Sequence, residues 1–140
     1  MNFWPPFLGA GIRVDFMAKN YHKIIVSMKL KFWNKNYVNT HYGGSLYSMT
    51  DPFYMLMLMQ ILGRDYIVWD KSASIRFKKP GMGKVTAVFE LTPEQIESYK
   101  KELANNDKIE PLLTVTICNE VGETVAIVEK VLHIKKKTRA

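Results

Sequence analysis

The sequence has little of what disulfide-linked, zinc-bound or membrane-spanning proteins need. Its one cysteine, Cys118, excludes an internal disulfide, and three histidines are too few for a zinc ribbon, so we expect no metal site. A lone cysteine also favours a reducing, cytoplasmic setting. The longest apolar run, residues 53–62, is interrupted by Gln60 and is shorter than the roughly 20 residues of a transmembrane helix.

Long linkers and internal repeats are also missing, and the pattern of the first residues leads us to expect that they are not a signal peptide. Nothing rich in Pro, Gly or Ser divides the chain, and its 140 residues are about the length of one domain. We therefore predict a single domain over residues 1–140, with an N-terminal extension over residues 1–11 and a basic tail over residues 135–140. The hydrophobic fraction of 47% excludes a wholly disordered chain.

The charge balance is basic, with 20 Lys and Arg against 13 Asp and Glu and a net charge of +7. An excess of this sign makes anionic partners plausible. Nucleic acid is one such class, but the basic residues are scattered and follow no known reading motif, so we disfavour it. Four of them cluster around one predicted turn: Arg76, Lys78, Lys79 and Lys84.

The pattern of apolar residues predicts an α+β fold. Residues 43–62 have helical spacing and become apolar on nearly every side, which is typical of a buried helix. A second helix is predicted over residues 92–105, where Thr92 and Gln95 form a capping box. We therefore expect an antiparallel sheet of about six strands around one long central helix, and an oligomer that covers the open edges of the sheet. Alternating apolar and polar residues predict strands over residues 12–18, 24–32, 66–77, 84–91, 112–118 and 124–134.

The segment between the second strand and the central helix carries a motif. Residues 36–44 read Asn-Tyr-Val-Asn-Thr-His-Tyr-Gly-Gly, and Asp51 follows seven positions after Gly44. This resembles the hotdog-fold acyl-CoA thioesterases, particularly the phenylacetyl-CoA-type and small human-type branch, which carry Asn, a Gly-Thr turn and His-Gly-Gly in that order. Tyr42 stands where that family has His, and Asn39 replaces the turn Gly. Residues 77–81 are similar to the family's aromatic-x-x-Pro turn.

The resemblance implies a hotdog fold and hydrolysis of an acyl-CoA or related thioester. It implies no cofactor other than the coenzyme A of the substrate, and a site shared between the subunits of a dimer or tetramer. In that family the residue matching Gly43 donates an oxyanion N–H, the residue matching Asp51 acts as base or nucleophile, and the residue matching Asn36 orients the reactants. The implied substrate-binding residues are His41, Tyr42, Gly44, Arg76, Lys78 and Lys79, the basic ones for the phosphates of coenzyme A.

Each of these roles has a structural alternative. Asp51-Pro52 is also typical of a helix N-cap with a first-turn proline, in which case the carboxylate only caps the helix. If the helix instead begins near Gly43, Pro52 lies inside it at a cost of about 3 kcal/mol. A lone loop histidine such as His41 is more often a surface residue, and lysines at a strand edge often only protect it. The alternative function is a non-catalytic hotdog module that binds acyl-CoA or fatty acyl ligands.

Overall fold

Seven strands form one antiparallel sheet in the computed structural model, which describes residues 2–137. The strand order is β1-β2-β4-β6-β7-β3, and β5 pairs with β7 beside this path. The helices are α1 (Pro5–Ala10), α2 (Gly43–Ser48), α3 (Phe53–Leu62) and α4 (Pro93–Asn105). The strands are β1 (Ile12–Met17), β2 (Lys23–Lys29), β3 (Tyr66–Phe77), β4 (Lys84–Glu90), β5 (Lys108–Ile109), β6 (Leu112–Cys118) and β7 (Thr124–Lys136).

The predicted α+β architecture is confirmed, with differences at a few ends. β5 adds a seventh strand, and its two residues are too short for alternation to reveal. β2 ends at Lys29, so Phe32 does not continue the inward-facing row and is 81% exposed. β7 continues through Lys136, so the first two residues of the predicted basic tail pair in the sheet. Residues 138–140 of that tail lie outside the described part of the chain.

The core lies between the sheet and α3, which is apolar on nearly every side as predicted. Phe53, Met57 and Leu58 of this helix are fully buried. The ring of Phe53 lies 5.1 Å from that of Phe89 in β4 and 5.8 Å from that of Phe7 in α1, measured between centroids. The helix therefore packs against both β4 and α1.

The predicted central helix is interrupted between its two halves. α2 ends at Ser48 and α3 begins at Phe53, because Pro52 lacks the N–H that an uninterrupted helix would need. Pro52 itself occupies the N-cap position and no side chain caps α3, so the interpretation of Asp51 as a helix cap is wrong. Thr50 Oγ1 donates to the Tyr47 carbonyl at 2.7 Å and so satisfies a carbonyl near the break.

Helix α4 begins as predicted. Thr92 Oγ1 accepts from the Gln95 N–H at 3.1 Å, and the Gln95 side chain accepts from the Thr92 N–H at 2.9 Å, which completes the capping box. Within residues 2–137 no helix combines the length and the apolar character needed to cross a bilayer.

Candidate active site

The loop that leads into α2 is shaped by Asn36. Its Oδ1 accepts from the backbone N–H groups of Val38 and Thr40, each at 3.0 Å, and its Nδ2 donates to Thr40 Oγ1 at 2.9 Å. Asn39 has φ 60°, a left-handed conformation that asparagine tolerates, so it can replace the turn Gly of the motif. The side chain of Asn36 therefore organises the loop, and one of its two amide hydrogens stays available.

His41 follows this loop and is buried, which corrects the expectation of a surface histidine. Its backbone N–H donates to the Gly81 carbonyl at 2.8 Å, and its Nε2 lies 2.7 Å from the Gly83 carbonyl. Both contacts bind the loop to the turn before β4 and so draw the ring inward. A carbonyl only accepts, so Nε2 carries the hydrogen and donates. Burial lowers the pKa of His41 against the opposing effect of the Gly83 bond, which favours the neutral ring with Nδ1 as an acceptor.

Gly43 is the first residue of α2, and its N–H precedes the first hydrogen bonds of the helix. Those bonds run from Ser45 and Leu46 to the Tyr42 carbonyl, both at 3.0 Å. A Cβ on Gly43 would lie 3.0 Å from Cζ of Phe77, so the ring of Phe77 packs directly over this position. The glycine therefore allows an aromatic ring to approach the start of α2 while its N–H remains unused by the helix.

A cleft of about 410 Å³ opens beside this helix start. Of the predicted site residues it brings together Asn36, His41, Gly43, Lys78 and Lys79. Its remaining lining is mainly apolar, so the cleft combines apolar surface with two lysines. That remaining lining consists of Val38, Thr40, Leu46, Phe77, Pro80 and Gly81.

Four other predicted residues do not line this cleft: Tyr42, Gly44, Asp51 and Arg76. Tyr42 packs its exposed ring against Gly44, where an added Cβ would lie 2.6 Å from the ring atom Cε1. Arg76 is exposed on β3. The motif residues are therefore divided between the cleft and its surroundings within one chain.

The basic cluster is also divided. Lys79, in the turn after β3, pairs with Glu123 in the β6–β7 hairpin, and hydrogen bonding to Lys79 lowers the pKa of the Glu123 carboxyl. Lys84 lies 4.0 Å from a carboxylate oxygen of Asp15, at a different cleft. Lys78 lines the cleft and makes no ion pair within residues 2–137, so it is the cation best placed to meet an anionic ligand there.

Asp51 lies in the break between α2 and α3, and its side chain is 55% exposed. The buried Lys130 of β7 donates through Nζ to the Asp51 carbonyl, and the same Nζ lies 3.4 Å from Asp51 Oδ1. Nζ also lies 3.1 Å from Oδ1 of Asp70 in β3. One buried ammonium therefore binds the carbonyl at the helix break and two carboxylates, which fixes the backbone that carries Asp51.

The groups around the buried Lys130 are themselves partly shielded from water. Burial raises the pKa of Asp70, although the positive charge of Lys130 opposes the shift. Burial also raises the pKa of Tyr47, and the nearby carboxylates of Asp51 and Asp70 add to that effect. Sequence reasoning missed this cluster. The signal was available, because Lys130 shares a core-facing alternation in β7 with Val128 and Leu132, both fully buried.

The strand that carries Asp70 and Phe77 ends the sheet. β3 has 12 residues and pairs with β7 on one side; its other edge has no partner strand within residues 2–137. Much of the strand is exposed, including Phe77 at its end. A long, exposed strand edge is a ready site for pairing with another chain.

Solved structures with the same architecture extend over nearly the whole chain. A protein of unknown function from Pseudomonas aeruginosa, named a probable thioesterase, is 19% identical with a TM-score of 0.83, covering 96% of this chain and 89% of that one. A protein of unknown function from Chlorobaculum tepidum is 16% identical, with a TM-score of 0.76 and coverage of 97% and 89%. The E. coli PaaI protein of the phenylacetic acid degradation operon is 15% identical, with a TM-score of 0.63 and coverage of 98% and 87%.

This likeness shows the fold, and the expected hotdog fold is confirmed: an antiparallel sheet around a central helical segment. A family model described as "Domain of unknown function (DUF4442)" matches residues 1–134. The chain therefore belongs to the DUF4442 family. No curated protein matches it.

Proposed function

We propose that this protein hydrolyses an acyl thioester, with an acyl-CoA as the substrate class, in a site assembled from two copies of the chain. The observation that carries the proposal is the start of α2. There Gly43, whose N–H is not used by the helix, lines a partly apolar cleft of about 410 Å³ that also includes Lys78 and Lys79. Similar folds named a probable thioesterase and the PaaI protein give independent support.

The cleft has the chemical features that an acyl-CoA requires. Leu46, Phe77 and Pro80 offer apolar surface for an acyl group, and Lys78 offers a cation for a phosphate. The Gly43 N–H belongs to the first turn of a helix, where backbone donors are not used by the helix itself. It can donate to the carbonyl oxygen of the thioester and stabilise the negative charge that develops during attack.

A carboxylate is the group that this cleft does not have. Asp51 does not line the cleft of its own chain. The positions of the cleft and of Asp51 along β3 support the proposal that a second copy of the chain supplies this carboxylate. Asp51 is held through Lys130 beside Asp70, near the middle of β3, whereas Phe77 and the Gly43 cleft lie at the end of β3. Antiparallel pairing of the open β3 edges about a two-fold axis brings the Asp70 half of one strand alongside the Phe77 half of the other.

In this assembly the reaction needs no group beyond the two chains, water and the substrate. The Asp51 carboxylate takes a proton from water as the water oxygen bonds to the thioester carbon, and the carbonyl oxygen becomes negative against the Gly43 N–H. The C–S bond then breaks, and coenzyme A leaves as a thiol with the proton returned by Asp51. Direct attack by Asp51, followed by hydrolysis of the anhydride, gives the same products.

A non-catalytic acyl-CoA-binding module is the second candidate. The position of Asp51 favours it, because within one chain this carboxylate lies outside the cleft and near the buried cation Lys130. In that function the cleft holds the ligand and Asp51 serves only the structure of the helix break.

The test is release of free thiol from short, long and aromatic acyl-CoAs by the wild type and by Asp51→Asn. We expect turnover by the wild type and a loss of about 100-fold or more in Asp51→Asn, the usual effect of removing a general base. Asp65→Asn is the matched control, because Asp65 is an exposed carboxylate just after α3 and makes no ion pair within residues 2–137.

The outcomes separate the two functions. Activity that is lost in folded Asp51→Asn and kept in Asp65→Asn supports the thioesterase and its carboxylate. Acyl-CoA binding without turnover on any substrate supports the binding module instead. Equal turnover by the wild type and Asp51→Asn contradicts the role of Asp51.

A further inference from the structure

A second surface, outside the proposed active site, exposes large apolar side chains. Phe3 is 88% exposed, and Trp4 and Leu8 are exposed beside it in or next to α1. Phe32 and Trp33, in the loop after β2, are exposed as well. Large exposed apolar side chains that cluster together often mark an interaction site. We call the surface formed by residues 3–10 and residues 31–35 the N-terminal patch.

Asn34 binds the two halves of the N-terminal patch together. This side chain is buried, and its Nδ2 donates to the carbonyls of Ala10 at 3.0 Å and Lys29 at 2.9 Å. Its Oδ1 accepts from the Lys31 N–H at 2.6 Å. The end of α1 and the loop after β2 are therefore held in a fixed relative position.

The N-terminal patch is continuous with a basic cleft. A groove of about 330 Å³ runs along α1, and a polar cleft of about 310 Å³ lies next to it on the outer face of the sheet. Both include Gly11, Arg13 and Lys31, so apolar and basic surfaces meet at these residues. The groove is otherwise lined by Asn2, Phe3, Phe7, Leu8 and Ile12, and the cleft by Val14, Asp15, Ser27, Lys29 and Lys84.

The positive charge of the cleft is only partly balanced. Lys29 and Lys84 are cross-strand partners in β2 and β4, and like charges in direct register destabilise a sheet. Arg13 and Lys31 add two further cations, whereas Asp15 is the one acidic residue among residues 1–40. Asp15 lies 3.9 Å from Arg13 Nε and 4.0 Å from Lys84 Nζ. An anionic partner would relieve this repulsion.

We propose that the N-terminal patch and its basic cleft dock the protein on an anionic lipid bilayer. Exposed Trp and Phe rings partition into the interfacial region of a bilayer, and adjacent Lys and Arg are attracted to anionic headgroups. The shared residues Arg13 and Lys31 lie at the boundary between apolar and basic surface, where lipid phosphates would meet the chain.

Charge and ring geometry disfavour two other occupants. A second copy bound through the same surface would bring Arg13, Lys31 and their neighbours close to their own equivalents, which is repulsive. Single-stranded nucleic acid needs open ring faces for its bases. Trp33 offers few, because Lys31 Nζ lies 4.8 Å above its ring centroid and Phe32 packs against it edge to face at 5.2 Å.

The test is flotation of the full chain with vesicles of phosphatidylcholine alone or of equimolar phosphatidylcholine and phosphatidylglycerol. We expect binding to the mixed vesicles that weakens with added salt, and little binding to phosphatidylcholine alone. Phe32→Ser should weaken binding about tenfold and Lys31→Gln about fivefold. Phe32 is too exposed for its loss to unfold the chain.

Matched controls lie on other surfaces of the molecule. Val121→Ser removes an exposed apolar side chain from the β6–β7 hairpin, and Lys101→Gln removes a cation from α4; both should leave binding unchanged. Equal binding to vesicles with and without phosphatidylglycerol overturns the proposal. A loss of binding that is equal in the patch and control variants also overturns it. So does a patch variant that changes only self-association or oligonucleotide binding. Thiol release from soluble acyl-CoA is measured in parallel, because it tests the proposed function and not this surface.

Discussion

The two ends of α2 are built in opposite ways. At its start, Asn36 forms hydrogen bonds within the loop, and His41 forms hydrogen bonds to the turn before β4. At its end, Asp51 depends on Lys130, a buried cation that lies 79 residues away in the sequence. The start is therefore held by several hydrogen bonds, whereas the end is a helix break fixed by one buried side chain.

Because the two ends are held differently, substitutions at them should differ in their effect on the free energy of unfolding. The hydrogen bonds at the start of α2 are several and each is modest, so losing one should distort the loop slightly. The Lys130 contacts are few and buried, so losing that side chain leaves polar groups without their cation. Three changes test this difference, in order of decreasing expected effect.

Lys130→Met should have the largest effect on the free energy of unfolding. It leaves Asp70 partly buried without its cation and the Asp51 carbonyl without its donor, and removing one partner of a buried pair costs roughly 3–5 kcal/mol. Urea unfolding of the purified variant measures this. The double variant Lys130→Met with Asp70→Asn should regain part of the loss, since it removes the uncompensated charge; equal stability of the two variants would contradict this interpretation.

Asn36→Ala should cost less. It removes hydrogen bonds to Val38 and Thr40 in a half-exposed loop, with an expected loss of about 1–2 kcal/mol. Asn36→Asp keeps the accepting oxygen and should retain more of the stability. Thermal unfolding compares the three proteins. A loss as large as that of Lys130→Met would remove the distinction between the two ends.

The pH dependence of stability should have opposite signs at the two ends. Burial lowers the pKa of His41 from its ordinary 6.5, so the unfolded chain binds this proton more tightly and stability falls as the pH drops below about 6.5. The pKa of Asp70 is raised from 3.8, so its contribution is present at low pH and is lost as the pH rises through the folded value. The midpoint of urea unfolding, measured from below pH 3.8 to above pH 6.5, reports both contributions to stability.

His41→Gln and Asp70→Asn separate the two contributions. The first keeps a donor for the Gly83 carbonyl and should flatten the decline between about pH 7 and pH 5. Asp70→Asn should flatten the part of the stability profile that changes above pH 3.8. Parallel profiles for the wild type and both variants would mean that neither group is linked to folding in this way.

The sequence predicts more of the fold than of the site. Alternation locates the six long strands, and Thr92 with Gln95 locates the start of α4, because these signals are local. The two-residue β5 and the end of β2 are set by pairing with distant strands, which alternation does not report. Pro52 predicts that the central helix is disturbed, but the sequence alone left open whether the helix begins near Gly43 or at Asp51.

At the site, the motif predicts only some of the residues that share a cleft, since Tyr42, Gly44 and Asp51 do not line it, and it does not predict how they are held. Asn36, His41 and Gly43 do share a cleft, since they are neighbours in sequence. The burial of His41 comes from contacts with Gly81 and Gly83, about 40 residues away. Lys130 could have been suspected from its core-facing position in β7, but its contact with Asp51 joins elements whose relative position only the fold determines.

Complementation between two inactive variants tests the shared site most directly. Asp51→Asn and Gly43→Val are each expected to lack thioesterase activity, and they are unfolded together, refolded as an equimolar mixture and assayed for thiol release. Random pairing in an equimolar mixture makes half of the dimers mixed. If the site takes Gly43 from one copy and Asp51 from the other, each mixed dimer has one intact site of two. About a quarter of wild-type activity should therefore return. No recovery in a mixture that forms mixed dimers would contradict the shared site.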